Sequence, residues 1–273
     1  MSLTINTNLT ALGLGQQVNK KANQSATSAV KLSTGLKITG AQDDAAGLAI
    51  ANGLKLDLAT FRASGNNIAQ ATSLLQVTDG ALQQLDGLTQ RLQSLATTAQ
   101  SGQLSDTERG YVNTEFQNLL QEFDRVAGNA EFGGNKLLSG GSLGFQVGGG
   151  QGDQLSVALP DVSTTSLGLN SLNVADSTAA AGAADALKQA QGTLNTTRTD
   201  VNASLNRLEY AGASLAVQAE NVAASASAVQ DANTAEEITR NTIAQVGERA
   251  GVALLAQSNQ KPSLLLQLLG STS

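Results

Sequence analysis

The sequence predicts a mainly α protein, an elongated antiparallel helical bundle or coiled-coil rod with a small β-hairpin region in its middle. Apolar residues recur at every seventh position in the second half, two offset apolar repeats occupy the first half, and a glycine-rich stretch separates them. A seven-residue apolar period is typical of helices that supercoil around partner helices. We interpret the longest repeat as an assembly seam, which consists of Leu187, Leu194, Val201, Leu208, Leu215, Val222 and Val229.

The first half predicts a long helix that is packed on two sides, followed by a shorter third helix. Residues 112–126 of the third helix keep the helical spacing of apolar residues. Ser105 and Glu108 precede them at the spacing of a capping box, in which the hydroxyl and the carboxylate each accept a bond from a backbone amide. The two registers of the long helix are Ala71, Leu74, Thr78, Ala81, Leu85, Leu88, Leu92, Leu95 and Ala99, and Leu54, Leu58, Phe61, Gly65, Ile68, Thr72, Leu75 and Leu82.

The middle of the chain predicts a β-hairpin, within a β-rich segment at about residues 138–175. Residues 143–147 and 155–159 alternate between apolar and small or polar side chains, and a glycine-rich loop at 148–153 separates them. Such a loop can also cradle phosphate. A following Lys-Ser/Thr pair at a helix start is absent here, so we interpret the loop as a hairpin connection.

The two ends predict a separate helical coiled-coil domain, formed by residues 1–40 and 235–273, while residues 41–234 form a rod domain. Each terminal strip is rich in small side chains and buries too little apolar surface to order itself alone. We therefore expect the ends to be disordered in a monomer and to fold against each other and against neighbouring copies only on assembly. The strips are Leu14, Val18, Ala22, Ser25, Ala29, Leu32 and Leu36, and Ile243, Val246, Ala250 and Ala253.

Composition excludes several classes of function. The formal net charge is -6 without a basic cluster, which argues against nucleic-acid binding. The apolar run at 264–269 is far shorter than the roughly 20 residues that cross a bilayer, so we expect no membrane insertion. The chain contains no Cys and no His, which excludes thiolate nucleophiles, Ser-His triads and imidazole metal sites. Asp43 and Asp44 point apart on a helix, so we expect them to cap it rather than to form a catalytic pair. We expect no enzyme activity, no cofactor and no cleavable secretion signal.

Several blocks of sequence carry a resemblance to a known family. The most specific block is 43–51, which follows 32–38. Further blocks are 5–8, 79–82, 90–92 with 95–96, 122–127, 131–138, 145–148, 206–209, 220–222, 231–237 and 256–260. Over nearly its whole length the chain resembles bacterial flagellin, in a short form that lacks most of the variable outer domains.

The resemblance implies a structural subunit of the bacterial flagellar filament, which self-assembles into a hollow helical polymer for swimming motility. Its terminal helices would line the filament core. It also implies secretion by type III export, an extracellular location, and as partners other copies of the chain, a flagellar export chaperone, and the filament cap and hook-junction proteins. The alternative within the same class is a hook-filament junction protein that resembles flagellin.

The resemblance also implies two binding regions. A host Toll-like receptor would contact Arg91, Leu95 and Glu115, and the alternative is that Arg91 and Glu115 form an exposed ion pair of the rod. The leucine-rich tail would be an aggregation hazard in the cytoplasm and is a candidate for chaperone binding. That tail comprises Leu254, Leu255, Leu264, Leu265, Leu266, Leu268 and Leu269.

Overall fold

The computed structural model describes residues 7–270, with side chains from 7 to 260, and confirms the mainly α fold with a small hairpin region. The chain forms two compact units, unit 1 from Met1–Leu56 and Asn221–Ser273 and unit 2 from Asp57–Glu220. The elements in order are α1 (Leu9–Thr34), α2 (Ala45–Ala99), α3 (Asp106–Asn129), β1 (Glu131–Phe132), β2 (Asn135–Lys136), β3 (Ser139–Gln146), β4 (Gln154–Asp161), α4 (Ser177–Gln230) and α5 (Thr234–Gly270).

Local sequence signals account for where the helices begin and end. The predicted capping box is confirmed, because the Glu108 amide donates to the Ser105 hydroxyl and the Ser105 amide donates to the Glu108 carboxylate at 2.9 Å. At the start of α1 the Asn8 side chain accepts from the Ala11 amide. Gly35 follows the end of α1 with φ 71°, a left-handed conformation that favours glycine.

Unit 2 is built around the antiparallel pairing of α2 and α4. Arg198 of α4 donates to the Asp79 carboxylate of α2 at 3.1 Å, and Gln191 donates to Asp86 about two turns further along. Apolar side chains from both helices form two buried clusters, and α3 adds Phe123 to one of them and Phe116 to the other. The seven-residue repeat of α4 therefore faces helices of the same chain over most of its length.

The strands form two antiparallel hairpins between Glu131 and Asp161, which is earlier than the expected range of about 138–175. Strand β3 pairs with β4 as predicted, with Leu143 opposite Val157. The short β1–β2 hairpin was not predicted, although its signal is visible in the sequence. Gly133 and Gly134 both have positive φ, 58° and 83°, as a two-residue turn of type I′ requires.

The irregular segment at 162–176 is held to α3 by polar side chains. Asp124 accepts bonds from the amide and the hydroxyl of Thr164, the latter at 2.8 Å. Asn113 accepts from the Val174 amide at 2.9 Å, and Gln117 donates to the Leu172 carbonyl at 2.8 Å. These bonds satisfy backbone groups that no strand or helix pairs.

Unit 1 contains α1 and α5, which lie antiparallel and in contact along much of their length. The two terminal helices are thus formed and paired within a single chain, whereas the sequence predicts that they fold only on assembly. The chain entering α2 and the chain leaving α4 meet there as well. The Lys37 amide donates to the Gln230 carbonyl at 2.7 Å, and the Ala232 amide donates to the Gly35 carbonyl at 2.8 Å. Among the described helices, none has a run of apolar residues long enough to cross a bilayer.

Candidate assembly surface

The pairing of α1 with α5 uses small side chains on α5. Ala244, Gly251 and Ser258 are buried on this face. Polar contacts fix the register, since the Ser25 hydroxyl donates to Asn241 Oδ1 at 2.8 Å and Asn8 Nδ2 donates to the Ser258 carbonyl at 3.1 Å. The two helices thus come together without a continuous row of large apolar residues.

Glycine allows the closest approach in this pairing. A Cβ atom added at Gly251 would lie 2.6 Å from Cγ2 of Val18, and one added at Gly247 would lie 3.3 Å from the stem of Lys21. A larger residue at Gly251 would therefore force the helices apart locally.

The predicted strips behave differently on the two helices. Leu14, Val18 and Leu32 of α1 are half-buried, as is Leu36 just beyond it. On α5, in contrast, Ile243 and Val246 are 60% and 61% exposed, so they lie off the pairing face. The face that contacts α1 follows another register with the same alternating steps, which contains Glu237, Asn241, Ala244, Glu248, Gly251, Leu255 and Ser258.

Large apolar side chains remain exposed on both helices outside the pairing face. Their exposed fractions run from 51% to 72%, well above those of the buried apolar clusters of unit 2. Exposed apolar residues on two adjacent helices make this pair a candidate interaction surface. The residues are Leu9, Leu12 and Val30 of α1 and Ile238, Ile243, Val246, Val252 and Leu254 of α5. We call this set the exposed apolar residues of the α1–α5 pair.

The predicted seam on α4 divides into two parts. Leu187, Leu194, Val201, Leu208 and Leu215 are buried in the clusters of unit 2, where α2 and other elements of the same chain cover them. These five side chains are therefore buried without a neighbouring copy, whereas the sequence predicts that only assembly buries them. Val222 and Val229, which belong to unit 1, are half-buried.

Comparisons with known proteins decide the family. The sequence model of the bacterial flagellin N-terminal helical region matches residues 5–142, and that of the C-terminal helical region matches residues 184–269. The chain belongs to the bacterial flagellins. A flagellin of Halalkalibacterium halodurans is 31% identical over 271 residues, covering 98% of this chain and 100% of that protein. A flagellin of Bacillus subtilis is 30% identical over 303 residues, again covering 98% of this chain and 100% of that protein.

A solved structure agrees with this assignment. The crystal structure of Bacillus cereus flagellin has 29% sequence identity and a TM-score of 0.52, and covers 59% of this chain and 94% of that one. This flagellin is accordingly a structural subunit of the flagellar filament and not an enzyme, and it forms a homopolymer. The alternative of a hook-filament junction protein is not favoured.

The residues that the flagellin resemblance assigns to a host receptor are only partly exposed. Arg91 and Glu115 form an ion pair across α2 and α3, with 2.6 Å between Nη2 and Oε1 and side-chain exposures of 55% and 47%. Leu95 is buried with an exposure of 6% and belongs to a core cluster. Arg91 and Glu115 thus offer surface to a partner, whereas Leu95 supports the helices beneath them.

The most specific flagellin block has a structural explanation. Asp44 accepts from the Gly47 amide at 2.9 Å and caps the start of α2, while Asp43 accepts from the amide and hydroxyl of Thr39. These bonds, the Thr39 amide first, lower the pKa of Asp43. A Cβ at Gly47 would lie 2.7 Å from Ile38, which explains the glycine. The predicted capping role is therefore confirmed for Asp44 but not for Asp43, which holds the loop at Thr39 instead. Within the described residues no group of three acidic side chains could hold a metal ion.

The leucine-rich tail is described only in part. Leu254 is 51% exposed and Leu255 is half-buried against α1, near Gly15. Leu264, Leu265, Leu266, Leu268 and Leu269 lie outside the residues whose side chains the structure describes.

Proposed function

We propose that this flagellin polymerises through the exposed apolar residues of the α1–α5 pair, which other copies cover in a hollow helical filament. The proposal rests on the exposure of Ile243, Val246 and the other exposed apolar residues of the α1–α5 pair, on helices that already contact each other. Nothing else in the described chain covers them. Burial of one Ile or Val side chain stabilises a contact by about 1.5–3 kcal/mol, so a few such residues repeated in every copy support a polymer.

The domain division follows from the same proposal. We assign residues 1–40 and 235–273 to the assembling coiled-coil domain that lines the filament core, and 41–234 to the rod. Unit 1 contains both assembling segments and also the ends of α2 and α4.

Seeded polymerisation tests the proposal. Purified Ile243→Ser/Val246→Ser chain is added to short filament fragments, and the concentration left unassembled at equilibrium is measured by sedimentation. We expect this concentration to rise at least tenfold, because two apolar side chains lose their burial in each contact. The matched control is Gln245→Ser, which changes an exposed polar residue between the two. Unchanged assembly of the double variant would refute the proposal.

We further propose that the chain is secreted through the export channel of the flagellum and meets the filament cap and hook-junction proteins at its destination. Before export, a flagellar chaperone would cover the leucine-rich tail. The 51% exposure of Leu254 supports this proposal. Leu254→Ser should weaken chaperone binding in a titration calorimetry experiment, whereas Gln257→Ser on the same helix should not. Equal affinities for both variants would contradict a role of Leu254.

Host Toll-like receptor recognition is a separate proposal, supported by the exposure of Arg91 and Glu115 on neighbouring helices. We expect Arg91→Ala to reduce signalling in a receptor reporter assay. The matched control is Arg125→Ala, because Arg125 forms a comparable exposed ion pair with Glu122 on α3. Equal signalling from the Arg91 variant and the control would contradict this proposal.

A further inference from the structure

We infer that the Asn8 side chain replaces the backbone amide that Pro262 lacks, so that the last part of α5 depends on the start of α1. The part of α5 that follows Pro262 is residues 263–270, which we call the tail segment. Asn8 and Pro262 are not among the exposed apolar residues of the α1–α5 pair, so this dependence is separate from the proposed assembly surface.

Pro262 interrupts the hydrogen bonding of α5. The chain contains two prolines, and Pro262 is the one that lies inside a helix. In an α-helix each amide donates to the carbonyl four residues earlier. Because Pro262 has no amide hydrogen, the Ser258 carbonyl loses this partner. The helix nevertheless continues through Pro262 to Gly270.

The Ser258 carbonyl lies inside the helix pair, where it needs a donor from the protein. Ser258 is 7% exposed and belongs to the face of α5 that contacts α1. A buried carbonyl without a hydrogen bond is costly. Asn8 Nδ2 donates to this carbonyl at 3.1 Å and lies 3.4 Å from the Ser258 hydroxyl oxygen. A bond from the start of α1 thus takes the place of the missing bond of α5.

Asn8 uses both ends of its carboxamide. Its Oδ1 accepts from the Ala11 amide at 3.0 Å and caps α1, while its Nδ2 donates to Ser258. Aspartate caps a helix equally well but has no donor, and serine caps equally well but is shorter. One asparagine therefore joins the start of α1 to the break in α5.

A second polar contact of the pair lacks this connection to the backbone. The Ser25 hydroxyl donates to the Asn241 side chain at 2.8 Å. The residue four positions after Asn241 is Gln245, which has an amide for the helical bond. Loss of the Ser25 contact leaves no carbonyl of α5 without its helical partner, so Ser25 provides a matched control.

The consequence is a hinge whose state is set by the other end of the chain. A proline inside a helix is a site of bending, because the helical bond across it is missing. While Asn8 donates to Ser258, the break is bridged and the tail segment continues α5. When the start of α1 leaves α5, the bridge is lost and the tail segment moves separately from the rest of the helix. The two ends of the chain therefore become ordered together.

Amide hydrogen exchange in filaments grown from seeds tests this dependence. The main variant is Asn8→Ser, which keeps an acceptor for the helix cap but is too short to reach Ser258. We expect exchange in the tail segment to be at least about fivefold faster than in unmodified filaments, with exchange at residues 20–30 unchanged. The control Ser25→Ala should leave exchange in the tail segment unchanged.

Pro262→Ala isolates the role of the missing amide, because alanine restores the helical bond to Ser258. Exchange in the tail segment should be the same in Asn8→Ser/Pro262→Ala as in Pro262→Ala alone. The inference is overturned if Asn8→Ser leaves this exchange unchanged, or if it accelerates the exchange equally in both backgrounds. Should Asn8→Ser fail to grow from seeds, we expect added Pro262→Ala to restore growth, and continued failure would also overturn the inference.

Discussion

Unit 1 and unit 2 each contain a helix whose contacting residues follow a seven-residue period, but only unit 2 buries large apolar side chains in this way. In unit 2 the repeat on α4 is made of Leu and Val, and the large side chains that are fully buried in the described chain all belong to this unit, among them Phe116, Phe123 and Leu194. In unit 1 the contacting register of α5 is made of small or polar residues apart from Leu255, and Ile243 and Val246 lie off that register. The period thus predicts a packed face, and the size of its residues decides how much apolar surface that face buries.

This difference separates the tasks of the two units. Unit 2 buries its large side chains within one chain, so its stability does not depend on neighbours. Unit 1 leaves apolar residues at the surface, and their burial becomes available only when another copy covers them. We therefore expect core substitutions to act on folding and surface substitutions in unit 1 to act on assembly.

The largest effect is expected for Phe123→Ala in unit 2. Phe123 is fully buried in the cluster that joins α2, α3, α4 and the strands. Its truncation leaves a cavity and should lower the free energy of unfolding by about 3–5 kcal/mol. Chemical denaturation of the monomer measures this loss.

The comparison variant is Ile243→Ala in unit 1, an equally apolar residue that is 60% exposed. Its free energy of unfolding should change by no more than about 0.5 kcal/mol, as for other surface substitutions. A loss similar to that of Phe123→Ala would show that the side chain is already buried in the monomer and would remove the contrast between the units.

A smaller effect is expected at the glycine contact of unit 1. Gly251→Ala places a Cβ 2.6 Å from Val18, so the helices must separate locally. We expect a loss of about 1–3 kcal/mol in the stability of the α1–α5 pair. Amide hydrogen exchange of residues in α1 measures it, because local opening of unit 1 need not unfold unit 2.

Gly13→Ala is the matched control, since its Cβ meets nothing within 4 Å. Alanine is a better helix former than glycine by about 0.8–1 kcal/mol, so this variant should slow exchange in α1. Adding Val18→Ala to Gly251→Ala should restore part of the lost protection. If Gly251→Ala behaves like Gly13→Ala, the close contact does not determine the pairing.

The smallest effect concerns pH and the start of α3. Hydrogen bonds from the Ser105 hydroxyl and amide lower the pKa of Glu108 from 4.5. A lowered folded-state pKa stabilises the protein above the unfolded-state value, and this stabilisation is lost as the pH falls through the folded-state pKa. Glu108→Gln keeps a capping side chain but does not titrate. Between pH 7 and pH 3 the variant should therefore lose slightly less thermal stability than the unmodified chain, and an identical loss would contradict this role of Glu108.

Much of unit 2 could be predicted from the sequence because its signals are local or periodic. The capping box at Ser105 and Glu108 requires only two residues at a fixed spacing, and the α4 repeat is uninterrupted. The covering of Leu194 by the same chain was not predicted. A heptad repeat indicates that a partner helix exists, but it carries no information on whether that helix belongs to the same molecule.

The register of α5 could not be predicted for a related reason. Ile243 and Val246 are the larger side chains, and sequence reasoning assigns large side chains to the contact. In the structure Ala244 and Gly251 contact α1 instead, because Val18 of α1 occupies the space that a side chain at position 251 would need. Glycine and alanine at alternating steps of three and four were the available signal for a close helix pair.

The central claim is that copies of the chain cover the exposed apolar residues of the α1–α5 pair. The chain contains no cysteine, so an Ile243→Cys variant carries a single thiol that can be labelled with a maleimide. We predict rapid labelling in the monomer, where this position is 60% exposed, and labelling at least tenfold slower in intact filaments. Equal labelling rates in the monomer and the filament would contradict the account.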